Sequence, residues 1–185
     1  NYYVVVSRLV SYKRIDLIVR AFGLMPEKKL LVIGDGPELD NLKKMSSTNV
    51  EFLGRQQDGE VADYLSRAKA LVFAANEDFG ITPVEAQAAG TPVIAFGRGG
   101  ALETVVDATR SAHGTGVFFN RQTPDTLSET IRLHEDTLAN ISPQDCLRNA
   151  QRFSAECFNE RFVALRDRAC AAWEDTRQKP GSFES

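Results

Sequence analysis

Hydrophobic positions along this chain fall into short unbroken runs that alternate with longer stretches of helical spacing. The runs are Tyr2-Tyr3-Val4-Val5-Val6, Leu30-Leu31-Val32-Ile33, Val50-Glu51-Phe52-Leu53, Ala70-Leu71-Val72-Phe73-Ala74, Pro92-Val93-Ile94-Ala95-Phe96 and Gly116-Val117-Phe118-Phe119. Runs of this length, largely apolar and rich in β-branched residues, predict strands, and Ala70 to Ala74 reads as a buried parallel one. Between them, apolar residues recur at helical spacing at Ile15, Ile18, Val19 and Phe22, from Glu38 to Met45, through Val61, Leu65 and Ala68, from Val84 to Ala89, and from Leu102 to about Val106. Strand and helix in strict alternation predict a parallel sheet covered by helices on both sides. The expected fold is α/β: a doubly wound, six-stranded, Rossmann-like sheet.

After Asn120 the pattern becomes helical. Thr123-Pro124 starts a helix expected to reach Leu138, and Ser142-Pro143 starts another. A long last helix, Ala155 to Glu174, carries Phe158, Phe162, Leu165, Ala169 and Trp173 along one face, and that stripe is expected to pack against a core. The predicted organisation is a core over residues 1–120, helices of the same domain over 121–177, and a frayed tail over 178–185. The sequence opens on Asn1 with no initiator Met and enters a strand at once, so it reads as a piece of a longer protein.

Composition narrows the function classes. A chain of 185 residues with 43% hydrophobic and 25% charged residues suits one domain with a full core. Its formal net charge of -3 gives no field for nucleic acid or an anionic membrane. The apolar runs fall far short of the ~20 residues needed to cross a bilayer. With no signal-peptide pattern, a cytoplasmic protein is expected, peripheral contact with the inner face of a membrane remaining open. Cys146, Cys157 and Cys170 lack C-x-x-C spacing and are expected to be reduced core thiols. His113 and His134 have no partners at metal-ligand spacing and are expected in loops or at the surface.

The chemistry concentrates after the fourth strand, in Asn76-Glu77-Asp78-Phe79-Gly80-Ile81-Thr82-Pro83-Val84-Glu85-Ala86. Thr82 is expected as the N-cap of the next helix, with Pro83 in its first position. A helix N-terminus favours anions, phosphate above all, and Glu77 and Glu85 flank it as acceptors for hydroxyl groups. That combination suits a nucleotide-sugar. The same Thr82-Pro83-Val84-Glu85 is also a plain capping box in which Glu85 only returns to the Thr82 N–H, and Glu77 is also a plausible solvated acid. In a doubly wound sheet, ligands bind where strand order reverses, usually between the first and fourth strands. This topology brings the loop from Arg8 to Lys13 opposite Glu77 to Glu85. Arg8 and Lys13 would supply positive charge to a diphosphate, although each alone also reads as a surface cation. No G-x-G-x-x-G follows the first strand and no P-loop occurs, which argues against a dinucleotide dehydrogenase or a P-loop enzyme. Gly34-Asp35-Gly36 reads as a tight turn, and Gly97 to Gly100 as either an anion nest or a strand-to-helix connection.

Five motifs occur in order: Ser7-Arg8-Leu9 with Lys13, Gly34-Asp35-Gly36-Pro37, Phe52-Leu53-Gly54, Glu77 to Ala86, and Gly90-Thr91-Pro92-Val93-Ile94-Ala95. From Tyr3 to about Asn120 the chain resembles the C-terminal, donor-binding domain of retaining glycosyltransferases of family 4, one half of a GT-B fold. The resemblance implies that Arg8 and Lys13 hold the donor diphosphate and stabilise the leaving group, that Glu85 accepts the ribose hydroxyls and that Glu77 contacts the sugar ring. It places the backbone of Phe79, Gly80, Ile81 and Thr82 against sugar and phosphate, and Gly54, Arg55 and Gln56 beside the base. Ser7 stands where many members have glycine. The resemblance further implies retention by front-face attack without a required metal or cofactor, GDP-mannose as favoured donor with UDP-glucose next, and a glycan or lipid-linked acceptor. The acceptor would bind an N-terminal domain missing from this chain, which alone is expected to bind donor and scarcely turn over. Two other readings stay open: a non-catalytic nucleotide-sugar-binding module, and another GT-B enzyme such as an epimerase or a phosphorylase.

Overall fold

The computed structural model describes residues 2–178. Each apolar run forms a strand: β1 (Tyr3–Val6), β2 (Leu30–Ile33), β3 (Val50–Gly54), β4 (Ala70–Phe73), β5 (Val93–Phe96) and β6 (Gly116–Phe119). They pair in parallel in the order β3-β2-β1-β4-β5-β6, so the direction of winding reverses between β1 and β4. β1 and β2 stay in register from Tyr3–Leu30 to Val6–Ile33, whereas β1 and β4 pair at Tyr3–Ala70 and Val4–Leu71. The two central strands part towards their carboxyl ends, and a crevice opens there.

The sheet is covered by α1 (Ile15–Gly23), α2 (Leu39–Met45), α3 (Asp58–Ser66), α4 (Ile81–Ala88), α5 (Ala101–Thr104), α6 (Pro124–Leu133), α7 (Glu135–Ala139) and α8 (Pro143–Gln151). Alternation along the strands sends side chains into two apolar layers. Tyr3, Val5, Val32, Val72 and Val117 pack with Ile18 and Phe22 of α1 and Leu127 and Ile131 of α6. Val4, Leu31, Ile33, Leu71 and Val93 pack with Leu65 of α3, Ala86 of α4 and Ala101 of α5. This two-sided burial is why all the strands but β3 read as unbroken apolar runs; β3, at the sheet edge, has Glu51 exposed.

Helix boundaries differ from the expected ones at three places. The helix predicted from Pro124 to Leu138 breaks at His134, whose φ of -109° and ψ of 17° end α6 and start α7. α7 thereby places Glu135 between Lys28 and Lys69, whose Nζ atoms lie 2.5 and 3.0 Å from its carboxylate. α5 starts at Ala101 and stops at Thr104, ahead of the expected Leu102 to Val106. α3 opens with a reciprocal capping box between Gln57 and Glu60 that the hydrophobic pattern does not reveal.

The chain divides into two compact units, residues 1–150 and 151–185. The second holds α9 (Ala155–Gln178). Nothing within that unit covers the stripe expected to be core: Phe158, Phe162, Leu165 and Trp173 are all more than half exposed. A single helix has no second layer within its own unit to bury an apolar face, and Phe158 and Phe162 stack on each other at 5.9 Å between ring centroids. Of the three expected core thiols only Cys146 is buried; Cys157 is half-buried and Cys170 exposed. Gln178 closes α9, and the rest of the expected tail lies outside the described residues. Among the described residues no helix is long and apolar enough to cross a membrane, and no group of three His, Cys, Asp or Glu is placed to hold a metal ion.

Candidate functional site

A cleft of about 810 Å³ lies at the carboxyl ends of the first three strands, between α3 and α4. Its polar rim comes from Ser7 and Arg8 after β1, Asp35 after β2, and Arg55, Gln56 and Asp58 after β3. α3 contributes Val61 and Leu65, and α4 contributes Thr82, Glu85 and Ala88, with Ala89 just after it.

Close backbone packing holds the rim. A Cβ at Gly34 would lie 1.8 Å from the Ser7 carbonyl oxygen and one at Gly36 2.4 Å from that of Leu9, so only glycine lets the β2 loop lie against the β1 loop. The Ser7 N–H donates to Ile33 O at 3.0 Å, that of Leu9 to Asp35 O at 2.9 Å and that of Gly34 to Gly54 O at 2.8 Å. The Gly34-Asp35-Gly36 turn is therefore also a spacer that sets the loop bearing Arg8. Gly54, at a φ of 68°, turns the chain into Arg55, while the Gln56 side chain donates to Leu53 O at 2.7 Å and braces that turn.

α4 begins differently from the expected pattern. Its N-cap is Gly80, at φ 79° and ψ 84°, and no side chain caps it; Thr82 and Pro83 lie inside the first turn. Left-handed Gly80 starts the helix two residues before Thr82, so the capping box between Thr82 and Glu85 does not form. The first N–H groups of α4 keep their capacity to bind an anion, and the Glu85 carboxylate is exposed towards the cleft.

The basic pair is also arranged differently from its expected joint role. Lys13 ends a 3-10 turn, Ser11–Lys13, and its ammonium is ion-paired with the Glu77 carboxylate, both side chains about one fifth exposed. The Arg8 guanidinium is exposed and has no partner among the described residues. Arg8, Arg55, Gln56, Thr82 and Glu85 line one cleft; Lys13, Gly54, Glu77, Phe79, Gly80 and Ile81 do not. Phe79 and Ile81 are exposed, and Gly80 is buried beneath the Phe73 ring.

The loop carrying Glu77 is cradled by Gly99 and Gly100. The Gly100 N–H donates to Glu77 O at 2.7 Å, and a Cβ on Gly100 would sit 2.4 Å from both Asp78 O and Phe79 Cα. A Cβ on Gly99, whose φ is 62°, would sit 2.3 Å from Glu77 O. The glycine run after β5 thus supports the Glu77 loop, a role that no local pattern signals because its partner is distant in sequence. Asp35 and Asp58 are cleft residues missed from the sequence; their positions just past strand ends were the available signal. Together, an unpaired guanidinium, open helix N–H groups and a facing carboxylate are complementary to a phosphate joined to a hydroxyl-bearing group.

Residues 1–153 match the family model described as glycosyl transferases group 1. The chain is 34% identical over 140 residues to the GDP-mannose-dependent monoacylated alpha-(1-6)-phosphatidylinositol monomannoside mannosyltransferase of Corynebacterium glutamicum, covering 68% of this chain and 35% of that protein. It is 31% identical over 193 residues to the D-inositol 3-phosphate glycosyltransferase of Mycobacterium tuberculosis, covering 95% of this chain and 39% of the relative. The chain therefore spans well under half the length of these curated relatives. Among solved structures, sucrose-phosphate synthase from Thermosynechococcus elongatus superposes with a TM-score of 0.77 at 26% identity, over 92% of this chain and 46% of the synthase. HepE from Anabaena, in complex with UDP-glucose, superposes with a TM-score of 0.76 at 23% identity, over 90% of this chain and 49% of HepE, a likeness of fold. With its sheet order, its cleft at the switch point and the match over residues 1–153 all in agreement, this chain belongs to the group 1 glycosyl transferases and has the Rossmann-like fold of one half of a GT-B enzyme.

Proposed function

We propose that this chain is the donor-binding half of a retaining hexosyltransferase, which moves mannose, or next to it glucose, from a nucleoside-diphosphate sugar to a glycan or lipid-linked acceptor. The observation that carries this reading is that the unpartnered Arg8 guanidinium, the uncapped start of α4 and the Glu85 carboxylate meet at one cleft beside the β1–β4 switch point. Identity of 34% to a protein named as GDP-mannose-dependent favours guanine and mannose.

Breaking the anomeric bond leaves an oxocarbenium-like sugar and a departing diphosphate. Groups already oriented towards that charge stabilise the transition state more than the ground state. Arg8 and the first N–H groups of α4 do this directly. Lys13 adds its charge on the side of Glu77, and Glu77 faces the positive sugar ring. Glu85 accepts the ribose hydroxyls, while Gly54, Arg55 and Gln56 border the base. The acceptor oxygen attacks from the face the diphosphate leaves, and the leaving phosphate takes its proton, so configuration is retained. Charge neutralisation falls to these side chains and N–H groups without a metal ion. The acceptor belongs to the remaining part of the protein, and this chain alone binds donor with little turnover.

Calorimetric titration with GDP, UDP, GDP-mannose and UDP-glucose tests the reading. Binding of the guanine pair, weakened about tenfold or more in Arg8→Ala and Glu85→Ala without loss of melting temperature, supports it. Binding of the uracil pair alone moves the assignment to glucose-type donors. A chain that binds none of the four is not a donor domain.

A further inference from the structure

Gln87 lies on α4, is fully buried and uses its whole amide. Its Nε2 donates to Pro83 O and to Thr104 O, both at 2.9 Å. Its Oε1 accepts from Asn149 Nδ2 at 2.6 Å, and the same Nδ2 donates to Thr104 O at 2.8 Å. The Thr104 carbonyl needs these donors because α5 ends there: Val105 is extended at φ -117° and ψ 134°, and no further helical turn follows. Thr104 in turn donates its Oγ1 to Gly100 O at 3.0 Å, and the Gly100 N–H donates to Glu77 O. A chain of hydrogen bonds, buried from Asn149 and Gln87 through Thr104, thus runs from α8 to the backbone of Glu77.

We propose that Gln87 is a positioning residue that fixes the Glu77 loop relative to α4 and so sets how the site grips the sugar end of its ligand. This inference rests on the donor-site reading, in which Glu85 on α4 holds ribose and Glu77 holds the sugar. Besides the backbone that runs from Glu77 into α4, this amide ties α4 to the α5 segment whose Gly100 holds the Glu77 carbonyl. A methionine at position 87 would fill a similar volume but take one donor from each of the Pro83 and Thr104 carbonyls and one acceptor from Asn149 Nδ2 in a buried setting, where a lost hydrogen bond is costly and its neighbours shift to recover it. The β1, β2 and β3 loops at the cleft rim do not depend on this path. Loosening it therefore affects sugar more than nucleotide.

The test is titration of the 185-residue chain with GDP and GDP-mannose, or with UDP and UDP-glucose if the unaltered chain selects uracil, using Gln87→Met, Thr104→Val and Thr104→Ser. The expected result is a shift of about tenfold in the ratio of the two affinities, towards the bare nucleotide, in Gln87→Met and Thr104→Val, with nucleotide affinity itself changed less than about twofold. Thr104→Ser keeps the hydroxyl and keeps the original ratio. Equal weakening of both ligands, or no change in the ratio, shows that Gln87 only stabilises the fold and overturns the inference while leaving the donor reading intact. If Gln87→Met does not fold, Thr104→Val against Thr104→Ser tests the hydroxyl link to Gly100 through which the path reaches Glu77, and an unchanged ratio in Thr104→Val overturns the inference. Absence of nucleotide binding to the unaltered chain overturns the donor reading and this inference with it.

Discussion

Lys13, from the loop after β1, and Glu77, from the loop after β4, form an ion pair across the point where the sheet reverses its winding. Each side chain is about one fifth exposed, between a solvated surface pair and a fully buried one. Lys13 is matched by an acid outside the cleft lining, whereas Arg8 lines the cleft unmatched.

Removing one member of the pair strands the other in a half-buried position. Exposed pairs contribute under about 1 kcal/mol, whereas losing one partner of a buried pair costs ~3–5 kcal/mol; Lys13→Met and Glu77→Gln are each expected to cost about 1–3 kcal/mol. The double substitution should recover most of that loss, because no orphaned charge remains. Denaturant unfolding of the four proteins measures the coupling. Strictly additive losses would show the pair to be energetically idle.

Arg8→Ala should behave in the opposite way. With no partner to lose, its guanidinium leaves the melting temperature unchanged. Nucleoside-diphosphate affinity should fall by about tenfold to a hundredfold, the range for a charge-assisted bond. The salt dependence of binding should flatten in the same variant, since one of the screened charges is gone. Titration at two ionic strengths reads both effects.

How much of this was legible in the sequence depends on the range of the interactions involved. The six strands read within about a residue: burial on both faces makes all but β3 contiguous apolar runs, while edge strand β3, with Glu51 exposed, reads from Val50, Phe52 and Leu53. The meeting of the β1 and β4 loops followed from topology. The start of α4 did not, because Thr82-Pro83-Val84-Glu85 imitates a capping box while the left-handed backbone of Gly80 decides where the helix begins. The Gly99 and Gly100 cradle, the Gly34 contact with Ser7 and the Gln87 network were hidden because each partner is far away in the chain. In α9 the spacing of Phe158, Phe162 and Leu165 marks an apolar face correctly but carries no information on whether another layer covers it.

Gly100 offers a test of the cradle. Its φ is -62°, ordinary for any residue, so an alanine there meets no conformational penalty. Its Cβ would instead collide with Asp78 O and Phe79 Cα, both backbone atoms that move only with the loop. Gly100→Ala is expected to cost about 1–3 kcal/mol, as overpacking does, and to weaken nucleotide-sugar binding through the displaced Glu77 loop. Thermal unfolding and titration of the same preparation measure the two effects. An alanine variant with unchanged stability and affinity would mean that the loop yields freely and that the glycine is not what holds it.

Glu135 gives a prediction remote from the cleft. Hydrogen bonds from Lys28 and Lys69 pull its pKa from the usual 4.5 down to about 2. A depressed carboxylate pKa favours the folded state above the unfolded-state value. That contribution fades as pH falls through the window from 4.5 to about 2, where the carboxylate takes up a proton even in the fold. Glu135→Gln, which cannot titrate, should therefore melt below the unaltered chain at about pH 6 and approach it at about pH 2.5. The other carboxylates titrate in both proteins and cancel in the difference. A gap of constant size across that range would place the origin of the stabilisation outside the ionised state of Glu135. Because Glu135 lines no part of the cleft, nucleotide affinity near neutral pH should be the same in both proteins, which separates this acid response from the chemistry proposed for the cleft.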